Sequence, residues 1–343
     1  MRIIIGAVAS VLALSACGQS DISGSTVRLL THDSFALSES VIAQFESDTG
    51  INLEIVPAGD AGTITAGAIL AAGAPTADVL FGVDNTLVHR AAAEGVFDEY
   101  TSPELAQVIP SLRDDTSGGL VTPIDFGDVC VNVDTQWFAE RSLTPPVSID
   151  ELTDPQYADL LVVQDPATSS PGLAFLMATV SRYGDNWPGY WENLRSNGVK
   201  VAGSWTDAYY SDFSVSGGDR PLVVSYASSP PAELVFAEPP APDTPRSAVI
   251  TDGCFRQVEY AGILRGTPNK AGAEMVIDWL LSEPVQADIP LTMFVFPARE
   301  GTTLPEVFTS FAGEVAEPET LPTDYLAENA TQIVETWSTT MGR

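Results

Sequence analysis

Positive charge is the scarcest commodity in this chain. Its 343 residues hold 15 Lys and Arg against 46 Asp and Glu, for a formal charge of −31, and the only lysines are Lys200 and Lys270. Such a chain repels phosphate backbones, which argues against nucleic acid as a partner. Histidine occurs twice, at His32 and His89, so imidazole bases are few, and no nucleophile-elbow glycine pattern surrounds a serine. Cysteine occurs three times, at Cys17, Cys130 and Cys254. Without a supporting cluster of histidines these do not make a zinc site. Beyond the first residues, no apolar run is long and uninterrupted enough to span a bilayer.

What is there begins with "MRIIIGAVASVLALSAC". One positive charge, an apolar run and small residues before Cys17 have the layout of a secretory signal. Leu14, Ser15 and Ala16 before Cys17 resemble a lipobox, so Cys17 is the expected lipidated residue and 1–16 the removed leader. More than one acyl chain gives stable anchoring, at about 0.8 kcal/mol per buried CH₂. Residues 17–25 read as a flexible tether. The expectation is a monomeric body held at a membrane surface through lipid alone.

From residue 27 onward, apolar runs alternate with amphipathic stretches. "TVRLLTHDSF", "INLEIVPAG" and "ADVLFGVD" read as strands; "SESVIAQFESDTG", "TITAGAILAAG" and "NTLVHRAAAEGVF", with an Asn cap, read as helices. The rhythm is that of an α/β sheet with helices on both faces. It restarts after "TPIDFGDVCVNVD", and a second long extended run, "CFRQVEYAGIL", follows later. Two α/β halves joined by two long strands suggest two lobes with two crossover hinge strands. The expected division is 26–124 and 259–305 in one lobe and 125–258 in the other, with 306–343 packing on the lobes. Side by side, the hinge strands would set Cys130 and Cys254 level, which favours a disulfide over two separate thiols.

In open α/β sheets, ligands bind beyond the carboxyl ends of the strands. The loops there are "THDSF", "AGDAGT", "GVDNT", "QDPATSSPG" and "SYASSP". Thr168, Ser169 and Ser170 before Pro171, and Gly62 in "GDAGT", open helices whose free N–H groups could receive an anion or simply be capped. Tyr226, Trp205, Tyr209 and Phe294 could enclose a flat cation, gaining area and cation–π attraction, or serve core packing. Asp33, beside His32, could hold an amine or ring nitrogen.

The loops "THDSF", "GVDNTL", "PIDFG", "QDPATSSPGL", "GSWTDAY" and "VVSYASSP", with the helix "MVIDWLLSEPVQ", occur in one order over most of the chain. Together they resemble the thiamine-binding proteins of bacterial ABC importers. The resemblance implies a two-lobed type II periplasmic-binding-protein fold, α/β, with a ligand cleft between the lobes. It implies thiamine, thiamine monophosphate or thiamine diphosphate as ligand, no cofactor and no enzyme activity. It also implies docking to a permease with its ATPase. By motif, Tyr226 matches a ring that stacks on the ligand and Trp205 an aromatic wall. Asp33 and Ser34 match the polar floor, Gly62 and Ser169 positions near the phosphate, and Ser229 lies close by. His32, Asp84, Tyr209 and Phe294 complete the expected ligand-binding set. The family pattern has Tyr at His32, Trp at Phe294 and Tyr at Ala232, so this pocket would keep its stack with fewer aromatic walls.

Within the same fold, a ferric-ion binder is the nearest alternative. Such proteins use adjacent tyrosinates, whereas Tyr226 here is followed by Ala227. Tyr209 and Tyr210 are adjacent, but neighbours on a helix point about 100° apart. A hydrolase would need Asp33 and Asp84 as an acid pair, and an adhesive lipoprotein would need no pocket.

Overall fold

Residues that alternate between apolar and polar in the sequence alternate in burial. The computed structural model describes residues 24–113, 118–313 and 315–343. The leader, Cys17 and the tether up to residue 23 lie outside the described residues. Strand β1 (Thr26–Thr31) buries Val27 and Leu29 while exposing Thr26 and Arg28. It lies parallel to β2 (Asn52–Pro57) and β3 (Val79–Asp84). All six residues of β3 are buried, which explains its unbroken apolar run: helices cover both faces.

The sheet is completed by β4 (Phe97–Asp98), β5 (Thr122–Asp134), β6 (Leu161–Gln164), β7 (Lys200–Ala202), β8 (Leu222–Tyr226), β9 (Ser247–Leu264) and β10 (Phe296–Pro297). Its order is β2-β1-β3-β9-β5-β8-β6-β7, with β10 on β5 and β4 on β9. The centre is the antiparallel pair β5–β9. At roughly 3.3 Å per residue, β5 alone spans about 40 Å, enough to serve both lobes.

Each lobe has its own core. One gathers around Leu29, Phe81, Phe97 and Ile277, the other around Phe138, Phe175, Trp191 and Leu222. The final helix, Thr323–Met341, sets Trp337 edge-on against Trp191 with ring centroids 5.6 Å apart, and so joins the second core. At the near edge of the second core, the β5–β9 register shifts at Val129/Val131. There Cys130 and Cys254 form a disulfide with Cα atoms 4.4 Å apart. The Arg256 guanidinium forks onto the Asp128 carboxylate beside it. The ionic cross-link thus sits where the two strands pass from one core to the other, and the covalent one beside it at the edge of the second core.

One helix start differs from the expected Asn cap. Asp84, not Asn85, closes the turn before helix Val88–Ala93: its Oδ1 accepts from the N–H groups of Thr86 and Leu87 and from the Thr86 hydroxyl. The Asn85 side chain instead bridges to β9, donating to the Arg256 carbonyl and accepting from the Val258 N–H. An Asx side chain takes whichever backbone donors face it, and here the sheet reaches Asn85 first.

Candidate functional site

The segments that follow β1, β2, β6, β7 and β8 converge on the gap between the lobes, as sheets of this class require. A cavity of about 310 Å³ lies there, at the lower end of the size range for small-ligand pockets.

Tyr226 is held at the end of β8 by its surroundings. Its neighbours on the strand, Leu222, Val223 and Val224, are fully buried. Gly127 on β5 leaves space for the ring: a Cβ there would sit 2.8 Å from Tyr226 Cδ1. The Ser229 hydroxyl accepts from the Tyr226 N–H at 3.2 Å and bonds Ser225 Oγ at 2.8 Å. Ser225 in turn accepts from Trp205 Nε1 at 3.0 Å. The small hydroxylic residues around Tyr226 therefore do more than leave room, since they tie the two rings together. Trp205 and Tyr226 stand 6.4 Å apart and inclined at 59°, and Tyr209 stacks behind Trp205 at 4.9 Å. Phe294 closes the opposite side against Phe236, 5.5 Å away. Phe294 adopts φ of 56°, a left-handed conformation that bulky side chains rarely take and that is seen where a site demands it.

The floor is polar. His32 is buried, its Nδ1 2.9 Å from Ser34 Oγ and its Nε2 3.5 Å from Glu259 Oε1. Gly82, with φ of 99°, admits the His32 ring, since a Cβ would lie 2.4 Å from its Cδ2. Burial alone would lower the His32 pKa; the Glu259 carboxylate, with Asp60 and Asp33 further off, outweighs burial and raises it. Three carboxyl side chains, Asp33, Asp60 and Glu259, line the cavity, and no lysine or arginine does so among the described residues. The chemistry on offer is enclosure of a flat, positively charged molecule.

Of the residues expected from sequence, His32, Asp33, Ser34, Trp205, Tyr209, Tyr226, Ser229 and Phe294 line this cavity together. Gly62, Asp84 and Ser169 do not. Asp84 is fully buried beneath the floor and occupied by the turn it caps. Ser169 is likewise buried, and its neighbour Ser170 reaches the cavity instead. Gly62 is a lobe-to-lobe contact. A Cβ there would lie 2.6 Å from the Thr168 carbonyl oxygen, which also accepts from the Thr63 N–H at 3.2 Å. Asp60 caps the same helix at Ala61 and accepts from the Trp205 N–H across the cleft at 2.8 Å. One donor at the start of the Gly62 helix, the Thr63 N–H, is thus engaged across the lobes. Gly62→Ala is expected to prise them apart at a cost of about 1 kcal/mol in closure. Ligand affinity should fall several-fold while the thermal midpoint barely moves, because neither core is touched; calorimetry beside a melting curve checks both.

Sequence reasoning missed Glu259 and Asp60. A signal for Glu259 was present, as one acid in the otherwise apolar end of the hinge strand, "VEYAGIL". Asp60 carried none, because its role depends on a partner in the other lobe.

Two lobes, two crossing strands and a cleft at the strand ends define a type II periplasmic binding protein. The chain belongs to the bacterial extracellular solute-binding proteins, whose family model matches residues 74–329. It is similar to the thiamine-binding periplasmic protein of Salmonella typhimurium, at 28% identity over 318 residues covering 91% of this chain and 92% of that one. In structure it resembles a periplasmic thiamin binding protein, with a TM-score of 0.82 at 24% identity, covering 93% of this chain and 96% of the other. Iron-binding proteins share the fold: iron-bound HitA from Pseudomonas aeruginosa superposes with a TM-score of 0.73 at 19% identity, covering 91% of this chain and 99% of that one.

Proposed function

We propose that this solute-binding protein captures thiamine, free or phosphorylated, and delivers it to an ABC permease energised by its ATPase. Lipidated Cys17 would tether it outside the cytoplasm. The observation that carries this reading is the pairing of Trp205 and Tyr226 with three carboxylates around a cavity that no lysine or arginine lines among the described residues. A thiazolium ring is flat and permanently cationic, so it gains both stacking area and cation–π attraction there. The likeness to thiamine-binding relatives over nine-tenths of the chain supports the same ligand.

Ferric ion is the competing cargo within this fold, and the tyrosines speak against it. Burial pushes the Tyr226 and Tyr209 phenols well above their ordinary range, away from the phenolate that ferric ligation uses. Tyr209 is moreover stacked behind Trp205. Calorimetric titration with thiamine, its monophosphate, its diphosphate and ferric ion decides the matter. Saturable one-to-one binding of at least one thiamine form is the expected result, and the same titration ranks the three. Binding of ferric ion alone, with a visible charge-transfer colour, would replace this reading.

A further inference from the structure

Three acids form a row beneath the cavity. In the sheet register, Asp84 on β3 faces Glu259 on β9, and Glu259 faces Asp125 on β5. Residues paired in this way project from the same face of a sheet with Cβ atoms about 5 Å apart, and like charges so placed repel. All three are buried. Their circumstances differ. Asp84 accepts from Thr86, Leu87 and Gln257, donors that favour its charged form, although burial lifts it to about 7. Glu259 reaches the cavity and approaches His32. Asp125 is fully buried, and neither of its carboxyl oxygens has a hydrogen-bond donor.

A carboxylate in that position is untenable unless it bears a proton. Burial and, beside it, the Glu259 charge push Asp125 well above the usual carboxyl range. A protonated Asp125 would also supply the one hydrogen bond that the pair lacks. We infer that Asp125 and Glu259 share one proton while the cavity is empty, and that a cation bound against Glu259 expels it to solvent. The ligand's positive charge then takes over the compensation that the proton gave, so the pair holds one negative charge rather than two in the empty protein and still attracts a cation. Other titratable groups face the pair: Asp84 from the end of β3, His32 from the loop after β1, and Tyr226 from the end of β8. Asp33 and Asp60 lie further out at the rim. His32 and Asp84 are the two that could take the proton instead.

This inference rests on the cationic-cargo reading, and infrared difference spectroscopy of the whole protein at about pH 8, where Asp84 has largely lost its proton, tests the two separately. The ligand-free protein should show the carbonyl stretch of a protonated carboxyl. Heavy-carbon labelling of the aspartate carboxyls should shift that band, Asp125→Asn should abolish it, and saturating thiamine should remove it. The labelling arm needs no variant, so it stands even if Asp125→Asn folds poorly. Absence of the band, its persistence in a folded Asp125→Asn protein, or its indifference to bound thiamine would each overturn the inference. A band that Asp125→Asn removes, in a protein that thiamine fails to saturate, would overturn the cargo and leave the shared proton standing.

Discussion

Tyr226→Ala is expected to weaken thiamine binding by about thirty- to a hundredfold, or roughly 2–3 kcal/mol. The ring supplies stacking area and, in a desolvated site, a cation–π attraction on the order of 2 kcal/mol. Its removal also opens a gap beside Gly127, over which the ring sits. Tyr226→Phe separates these effects. It keeps the ring and its packing and loses only the hydroxyl, so most of the affinity should remain. Titration calorimetry on the pair reads the difference directly. An alanine variant that binds within threefold of the parent would remove Tyr226 as the stacking platform. Trp205 could not easily substitute, because its indole N–H is tied to Ser225 and its other face is covered by Tyr209.

The second large effect belongs to stability. The Cys130–Cys254 bridge closes a sequence separation of 124 residues, and a loop of that size constrains the unfolded chain by about 4–5 kcal/mol in the entropic account. Replacing both cysteines by serine is expected to lower unfolding free energy by roughly 2–5 kcal/mol. For a chain of this size the midpoint should fall by about 3–8 °C. The loop spans most of the second lobe, so that lobe should loosen first and the first lobe's core should respond less. Denaturant titration followed separately by the tryptophans of the second lobe and by far-ultraviolet dichroism shows the order. Unchanged midpoints in the double-serine protein would mean that the Arg256–Asp128 fork and the β5–β9 ladder suffice to hold the hinge.

Much of this protein is written locally. Alternating apolar runs mark β1 and β2, the unbroken run of β3 marks burial on both faces, and the length of "TPIDFGDVCVNVD" marks a strand too long for one lobe. Tyr226 could be singled out from sequence because a strand of fully buried aliphatics ends in a ring among serines. Such features need only the period of a strand or the chemistry of a loop, which neighbouring residues carry among themselves. The pairing of Cys130 with Cys254 also followed, once two long strands were set side by side.

Other features exist only because distant segments meet. Gly82 and Gly127 are needed for the rings of His32 and Tyr226, which lie far from them in the chain. Asp60 gains its second role from Trp205, 145 residues onward, and Gly62 abuts Thr168 of the other lobe. Ser169 and Asp84 looked like site residues because they sit at element ends, yet a rotation of one position hands the cavity to Ser170 and the Asp84 turn lies under the floor. The row Asp84–Glu259–Asp125 is a matter of register. A shift of one residue in either pairing would send a carboxyl to the opposite face of the sheet, and no local pattern reports which partner a strand will take. The sequence by itself determined the two α/β halves, the long strands that join them and the ring that ends β8; the tertiary structure alone decided which acids share the floor beneath it, because these like charges are brought into contact by non-local pairing.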